Sequence, residues 1–166
     1  MELRESVAAD VPAITSIYND IIKTSTAVYS EEPVSLENRM DWWQSRRAQG
    51  YPVLVATERE AVTGFASFGD FRAWPGYRFS VEHTVHIDSS WRGRGVGGAL
   101  VRNLILRAQE MGKHVMIGGV DGENKHSLHF HQKLGFEQVA HFRQIGYKFD
   151  RFLDLIFVQY WLTPPR

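Results

Sequence analysis

The stretch Ser89–Val101, "SSWRGRGVGGALV", poses the question on which the fold turns. Gly93–Gly98 holds four glycines and an arginine, Arg92 precedes it, and an apolar helical pattern follows at once. A glycine inside a helix costs up to ~1 kcal/mol relative to alanine. Glycines at a helix entrance therefore need a reason, and close approach of the backbone to a ligand is one. Three readings compete. The first is a helix start that happens to be flexible. The second is a dinucleotide site, because Gly93, Gly95 and Gly98 match G-x-G-x-x-G and Asp121 stands roughly where a ribose-binding acid belongs. That fingerprint should follow its strand immediately, whereas Asp88–Arg92 intervene, and no second βαβ half comes after it. The third is an anion cradle. Successive backbone N–H groups at a helix N-terminus attract a pyrophosphate, and Arg92 and Arg94 add charge at its rim.

Working outward from the turn, periodicity supplies the other elements. "FSVEHTVHI", just before it, alternates as a strand, with Glu82, Thr84 and His86 on one face and Val81, Val85 and Ile87 on the other. Gly98–Met111 reads as a helix stopped by Gly112. "HVMIGGV" reads as a buried strand, and Asn124–Leu134 as a helix ending at Gly135. Upstream, Leu3–Val7 alternates as a short strand. Asp10 and Pro12 open a helix whose apolar face is Ile14, Ile17, Ile21 and Ile22. Ser35 caps a second helix with Leu36, Met40, Trp43 and Arg47 on one side, ending at Gly50. "PVLVAT" and "AVTGFASFGDF" are strands around the polar turn Glu58–Glu60, and Phe136–Leu162 holds two more. The predicted order is β-α-α-β-β-β-α-β-α-β-β: an α/β (α+β) chain, residues 1–166 forming one domain, with a mixed central sheet flanked by helices.

Composition narrows the function. The 166 residues are 43% hydrophobic and carry 19 basic and 19 acidic side chains. That balance leaves no basic footprint for nucleic acid, and no apolar run approaches the roughly 18 residues of a membrane span. A cytoplasmic protein with neither partner is expected. There is no cysteine, which removes thiolate metal sites and any acyl intermediate on cysteine. His126 and His129 have helical i,i+3 spacing but no evident third ligand, so no metal is expected.

Arg92, Gly95 and Gly97 fit [RQ]-x-x-G-x-[GA], which is similar to the acetyl-CoA signature of the GNAT acetyltransferases. "EHTVHI" before the turn, Asn124 after the next strand and "QKLGFE" at the end of the following helix resemble that family in register. "YNDIIKTSTA", "FGDFRAWPGYRFSVEHTV" and "GYKFDRFLDLIFVQ" narrow the likeness to the phosphinothricin and methionine sulfoximine acetyltransferase group, over about Leu3–Leu162. The resemblance implies a GNAT fold, acetyl-CoA as cosubstrate, a homodimer, and transfer of an acetyl group to the amine of a small amino acid or analogue. It places Arg92, Gly93, Arg94, Gly95, Val96, Gly97 and Gly98 at the pyrophosphate. It places the amides of Val85, His86 and Ile87, with Asn124 and Ser127, along the pantetheine arm. The rivals are acetylation of a protein N-terminus or lysine, and a CoA-binding sensor without catalysis.

Transfer from a thioester to an amine needs a base, since ammonium is not nucleophilic. Glu82 is the candidate: a mid-strand carboxylate among apolar neighbours is costly unless used or paired, and "VEHT" matches the family's glutamate. Many GNAT enzymes carry a tyrosine where His131 stands four residues before Gly135, so His131 is the candidate acid or a substrate ligand. Arg72 and Arg78 flank a Pro-Gly turn shortly before Glu82 and can clamp a substrate carboxylate through a planar fork, Arg72 the better anchored. His83 and Thr84 beside Glu82, and the aromatics Tyr29, Phe71, Trp74 and Tyr77, are candidates to wall the substrate pocket. Trp42, Trp43, Phe65, Phe68, Phe157 and Trp161 are expected in core or interface.

Overall fold

The computed structural model describes residues 1–166. The elements are β1 (Glu2–Glu5), α1 (Val11–Thr24), α2 (Leu36–Ala48), β2 (Val53–Glu58), β3 (Ala61–Asp70), β4 (Ser80–Ile87), α3 (Val96–Glu110), β5 (Val115–Asp121), α4 (Lys125–Lys133), β6 (Glu137–Lys148) and β7 (Arg151–Trp161). The expected order holds throughout. One seven-stranded sheet runs β1-β2-β3-β4-β5-β7-β6. Every pairing is antiparallel except β4 with β5, which is parallel. A parallel pair needs a crossover, and α3 supplies it.

Helices cover both faces. On one, α3 sinks Val96, Leu100, Val101, Leu104, Ile105 and Ala108 against Leu54, Ala66, Phe68, Val81 and Met116. This apolar face repeats at helical spacing, and a Leu100→Ala or Leu104→Ala change there would cost about 2–5 kcal/mol. On the other face, α1 buries Val11, Ile14, Ile17 and Ile21 with Trp43, Val53, Val55 and Phe65.

The inner face of α2 differs from its expected one. Trp43 is buried and Met40 half-buried, but Leu36 and Arg47 are exposed, while Arg39 and Arg46 turn inward. Their guanidiniums lie over the ring of Trp42, at 4.8 and 5.9 Å from its centroid. Two stacked cations take the place that hydrophobic periodicity assigns to apolar side chains. Trp161, expected in core or interface, is 41% exposed at the end of β7 and so lies outside the core.

The feature that positions the site is a fork. β4 and β5 pair only over Ser80↔Val115 to His83↔Gly118. Beyond that point β4 stays bonded to β3 as far as Ile87, and β5 to β7 as far as Asp121. Each strand keeps its outer neighbour and loses the other, so a gap opens in mid-sheet.

Candidate active site

Both strands run toward the open end of the fork, and the helix that follows each begins there. The chain leaves β4 through a turn over Ser89–Trp91 and reaches α3 with Gly93 at φ +73° and Gly95 at φ +81°. These are left-handed conformations that cost a side-chain-bearing residue roughly 1–2 kcal/mol. Nothing lies within 4 Å of where a Cβ would stand on either, so the N-terminus of α3 presents bare backbone to open space. Val96 turns its side chain into the core and Arg92, Gly93, Arg94 and Gly95 are exposed. Neither Arg92 nor Arg94 has an acidic partner: Arg92 Nε donates to Ile87 O at 3.3 Å, and Arg94 lies over Trp91. At Gly97 a Cβ would meet Phe130 and Ile87 at 3.4–3.6 Å, ordinary van der Waals contact, so the packing there would accommodate a methyl group. A pyrophosphate fits this cradle of free amides, a helix end and two unpaired cations.

At the start of α4, Asn124 caps the helix by accepting from Ser127 N at 3.0 Å through Oδ1. Its amide nitrogen remains for a ligand in the fork. Val85 and Ile87 pack inward against the core while their backbone lines the β4 edge that β5 has left.

A cleft of about 340 Å³ occupies the fork and reaches Glu82, Thr84, His131, Asn124 and the segment Ala27–Tyr29. Glu82 is half-buried on the α1–α2 side and makes no ion pair. Burial pushes its carboxyl above the ordinary carboxylate range, while the nearby Arg72 and Arg46 guanidiniums pull it down. Arg46 lies on Gly69, the cross-strand partner of Glu82. A Cβ at Gly69 would clash with the guanidinium, so the glycine makes room for the charge. Arg46 Nε is buried without a partner, as is Arg39 Nε. His86, on the same strand face, is buried against Tyr18 and Phe65. Burial, with Arg39 and Arg92 nearby, pulls its pKa down to about 4, so it is neutral.

On the other face, His131 from α4 stacks on His83 at the crotch of the fork. His131 Nδ1 lies 2.7 Å from Ser127 O, and a carbonyl can only accept, so Nδ1 carries the proton. Its Nε2 lone pair then faces His83 Nε2 at 3.2 Å, which must donate. His83 Nδ1 is left buried without a partner. Burial first, then His131 and His86, pulls the His83 pKa down to about 3; burial also lowers that of His131. Both rings are neutral, and His131 directs no proton into the cleft.

The loop after α1 forms the far wall. Tyr29 lines the cleft, and its hydroxyl donates to Asp154 O. Thr26 bonds the buried carboxylate of Asp121, the residue that a dinucleotide reading would place on a ribose. Asp121 is an anchor for this loop. The Pro-Gly segment stands apart: Trp74 is 76% exposed and Tyr77 44%, and Arg78 caps Pro75 O and stacks on Phe79. Arg72 stacks on Phe71, which packs against Tyr77 and Phe157. Of these expected contacts, only Arg72 is near enough to act on Glu82. No three histidine, aspartate or glutamate side chains converge as a metal site, and His126 and His129 are exposed. No helix is long and apolar enough to cross a membrane.

Arg46 was not foreseen as part of the site, and neither was the buried Lys148 behind the loop. The only sequence signal for Arg46 was its seven-residue spacing from Arg39, with Trp42 between them.

The family profile described as "Acetyltransferase (GNAT) family" matches residues 14–136. The L-methionine sulfoximine/L-methionine sulfone acetyltransferase of Pseudomonas aeruginosa is 44% identical over 165 residues, 99% of this chain and 96% of that protein. The phosphinothricin N-acetyltransferase of Streptomyces coelicolor is 32% identical over 160 residues, covering 93% and 92%. A Salmonella typhimurium acetyltransferase solved with its cofactor acetyl-CoA superposes with a TM-score of 0.95 at 42% identity, over 98% of this chain and 94% of that one. The chain belongs to the GNAT family of acetyltransferases, and acetyl-CoA is its cosubstrate.

Proposed function

We propose that this enzyme acetylates the α-amine of a small amino acid or close analogue of the methionine sulfoximine, methionine sulfone or phosphinothricin type, by direct transfer with both substrates bound. The observation that carries the reading is Glu82: a half-buried carboxylate in the fork that makes no ion pair, with the Arg72 and Arg46 guanidiniums near it. Such a site suits a zwitterion. Glu82 takes the proton from the ammonium, and Arg72 holds the carboxylate of the same molecule by two parallel bonds. Acetyl-CoA supplies the acetyl group as a thioester. As the amine's lone pair forms the C–N bond, the C–S bond breaks, the sulfur leaves with its electron pair, and the nitrogen's remaining surplus proton passes to that thiolate, giving the amide and the CoA thiol. An ordinary thiol pKa of about 8.5 makes that thiolate a competent leaving group. A proton from His131 is therefore unnecessary, and its bonds to Ser127 and His83 favour a role in closing the crotch of the fork. The absence of cysteine supports direct transfer.

Arg92, Arg94 and the Gly93–Gly98 backbone would hold the pyrophosphate, with Val85–Ile87, Asn124 and Ser127 along the pantetheine. Thr84, His83 and Tyr29 would face the amine, with Trp74, Tyr77 and Arg78 on a loop that closes over it. A second copy of the chain would pair through β6, an edge strand on which Phe142, Ile145 and Tyr147 are exposed, with Phe152 beside them on β7. Sedimentation should give twice the monomer mass, and Phe152→Asp should halve it.

A thiol-release assay with matched free acids, amides and decarboxylated amines tests the substrate class. The free acids should have kcat/KM at least about 10-fold higher, because an amide cannot neutralise the guanidinium. Arg72→Lys should close most of that gap by lowering the acid alone. Equal kcat/KM for acid and amide would move the assignment to a peptide N-terminus or generic amine.

A further inference from the structure

Lys148, the last residue of β6, is fully buried, yet no carboxylate pairs with it. A buried ammonium is costly unless each proton finds an acceptor, and here each does. Nζ donates to Ile22 O at 2.6 Å, Ser25 O at 2.7 Å and Val28 O at 2.8 Å. A lysine has three donors and no acceptor, so the set is complete. The first carbonyl is an orphan at the C-terminal end of α1, where a cation also meets the negative end of the helix dipole. The other two belong to the loop that follows. That loop carries Ala27, Val28 and Tyr29 into the wall of the cleft.

A second contact from the same strand presses on the same loop. Gly146 lies flat against the Tyr29 ring, and a Cβ there would stand 2.4 Å from it. The hairpin that brings both residues in is held by a two-residue turn, Phe149 at φ +52° and Asp150 at φ +57°, a pair matched to the twist of antiparallel strands. Lys148 thus reaches 120–126 residues back along the chain to set one wall of the site.

We propose that Lys148 is a positioning residue for the amine substrate: its ammonium fixes the Ser25–Tyr29 loop, and the loop's place sets the width of the cleft opposite Glu82. The proposal rests on the reading that Ala27–Tyr29 face the amine. Lys148→Met should raise KM for the amine roughly 10-fold while leaving KM for acetyl-CoA within about two-fold. The amine is whichever one the wild-type enzyme acetylates, so the measurement does not depend on the substrate class proposed above. Backbone hydrogen exchange of the peptide spanning residues 22–31 should quicken in the same variant, which reads the anchorage without any substrate. Unchanged exchange would overturn the clamp itself. Faster exchange with an unchanged amine KM would overturn the functional role, because the loop would then be one the amine does not touch. A parallel rise in both KM values would overturn it too, as general loss of structure. Should Lys148→Met fail to fold, Gly146→Ala pushes the loop from the Tyr29 side with the cation intact. It should raise the amine KM alone, and equal amine KM in that variant would refute the proposal.

Discussion

The two ends of the fork are built by opposite means. At the α3 end the chain offers backbone: Gly93 and Gly95 in left-handed conformations, exposed amides, and two arginines free of acidic partners. At the Glu82 end it offers side chains, half-buried, charged and held in place from several distant elements. The difference follows from what each end meets. Every reaction brings the same pyrophosphate, so a geometry made of main chain suffices. The amine must be told from its analogues and stripped of a proton, which needs functional groups of tuned acidity.

Substitutions sharpen this contrast by failing in different kinetic constants. The largest effect is expected at Glu82. Glu82→Gln should lower kcat by roughly 10²-fold or more, with KM for acetyl-CoA unchanged, and should abolish the acidic limb of the pH–rate profile. In the wild type that limb should lie above the ordinary carboxylate range, since burial raises the Glu82 pKa. The same shift has a stability consequence. A carboxyl whose folded pKa exceeds its unfolded one favours folding in the protonated form, and that contribution is lost as pH rises through the folded value. Glu82→Gln should therefore melt above the wild type at pH 7–8, with the gap closing toward pH 4. A variant at full turnover with the limb intact would make Glu82 structural.

At the other end, Gly95→Val should raise KM for acetyl-CoA about 10-fold, the price of roughly 1–2 kcal/mol of left-handed strain plus an obstructed cradle. The amine KM should stay put. If acetyl-CoA affinity is unaltered in a folded protein, the cradle is misassigned. Arg94→Ala is milder, because an exposed charge contact is worth about 0–1 kcal/mol. The loss should be under about 5-fold and should shrink in high salt. The smallest effect belongs to Arg46, whose guanidinium lowers the Glu82 pKa from its seat on Gly69. Arg46→Met should move the acidic limb to higher pH. An unmoved limb would limit Arg46 to packing on Trp42.

Legibility in the sequence followed the range of the interactions. Glycines at a helix entrance, strict alternation in "SVEHTVHI" and a capping asparagine are local signals, and each stands where its pattern placed it. The face of α2 was misjudged because Arg39 and Arg46 turn inward on an aromatic ring, which an apolar pattern cannot express. At Gly97, Phe130 and Ile87 stand at ordinary van der Waals distance from a Cβ, so packing alone does not call for glycine there. Lys148 and Asp121 act on residues about 95 to 126 positions earlier in the chain. Nothing near either in the sequence shows what it will touch. His131 is marked by resemblance, whereas its proton is held by Ser127 O, four residues back, and its lone pair faces His83, 48 residues away.

The fork also bears on how the molecule unfolds. Only four residue pairs join β4 to β5, so that seam divides β1–β4 from β5–β7, and the two strands at the seam are each laddered more fully to their outer neighbours, β4 to β3 and β5 to β7. A ligand whose amides bridge the parted strands completes the missing rungs and becomes, in effect, a member of the sheet. Its binding energy then adds to the joint between the blocks. The free enzyme should melt less cooperatively than the liganded one, with calorimetric enthalpy exceeding the van't Hoff value until CoA is added. Cosubstrate supply would then govern the integrity of the enzyme as well as its rate.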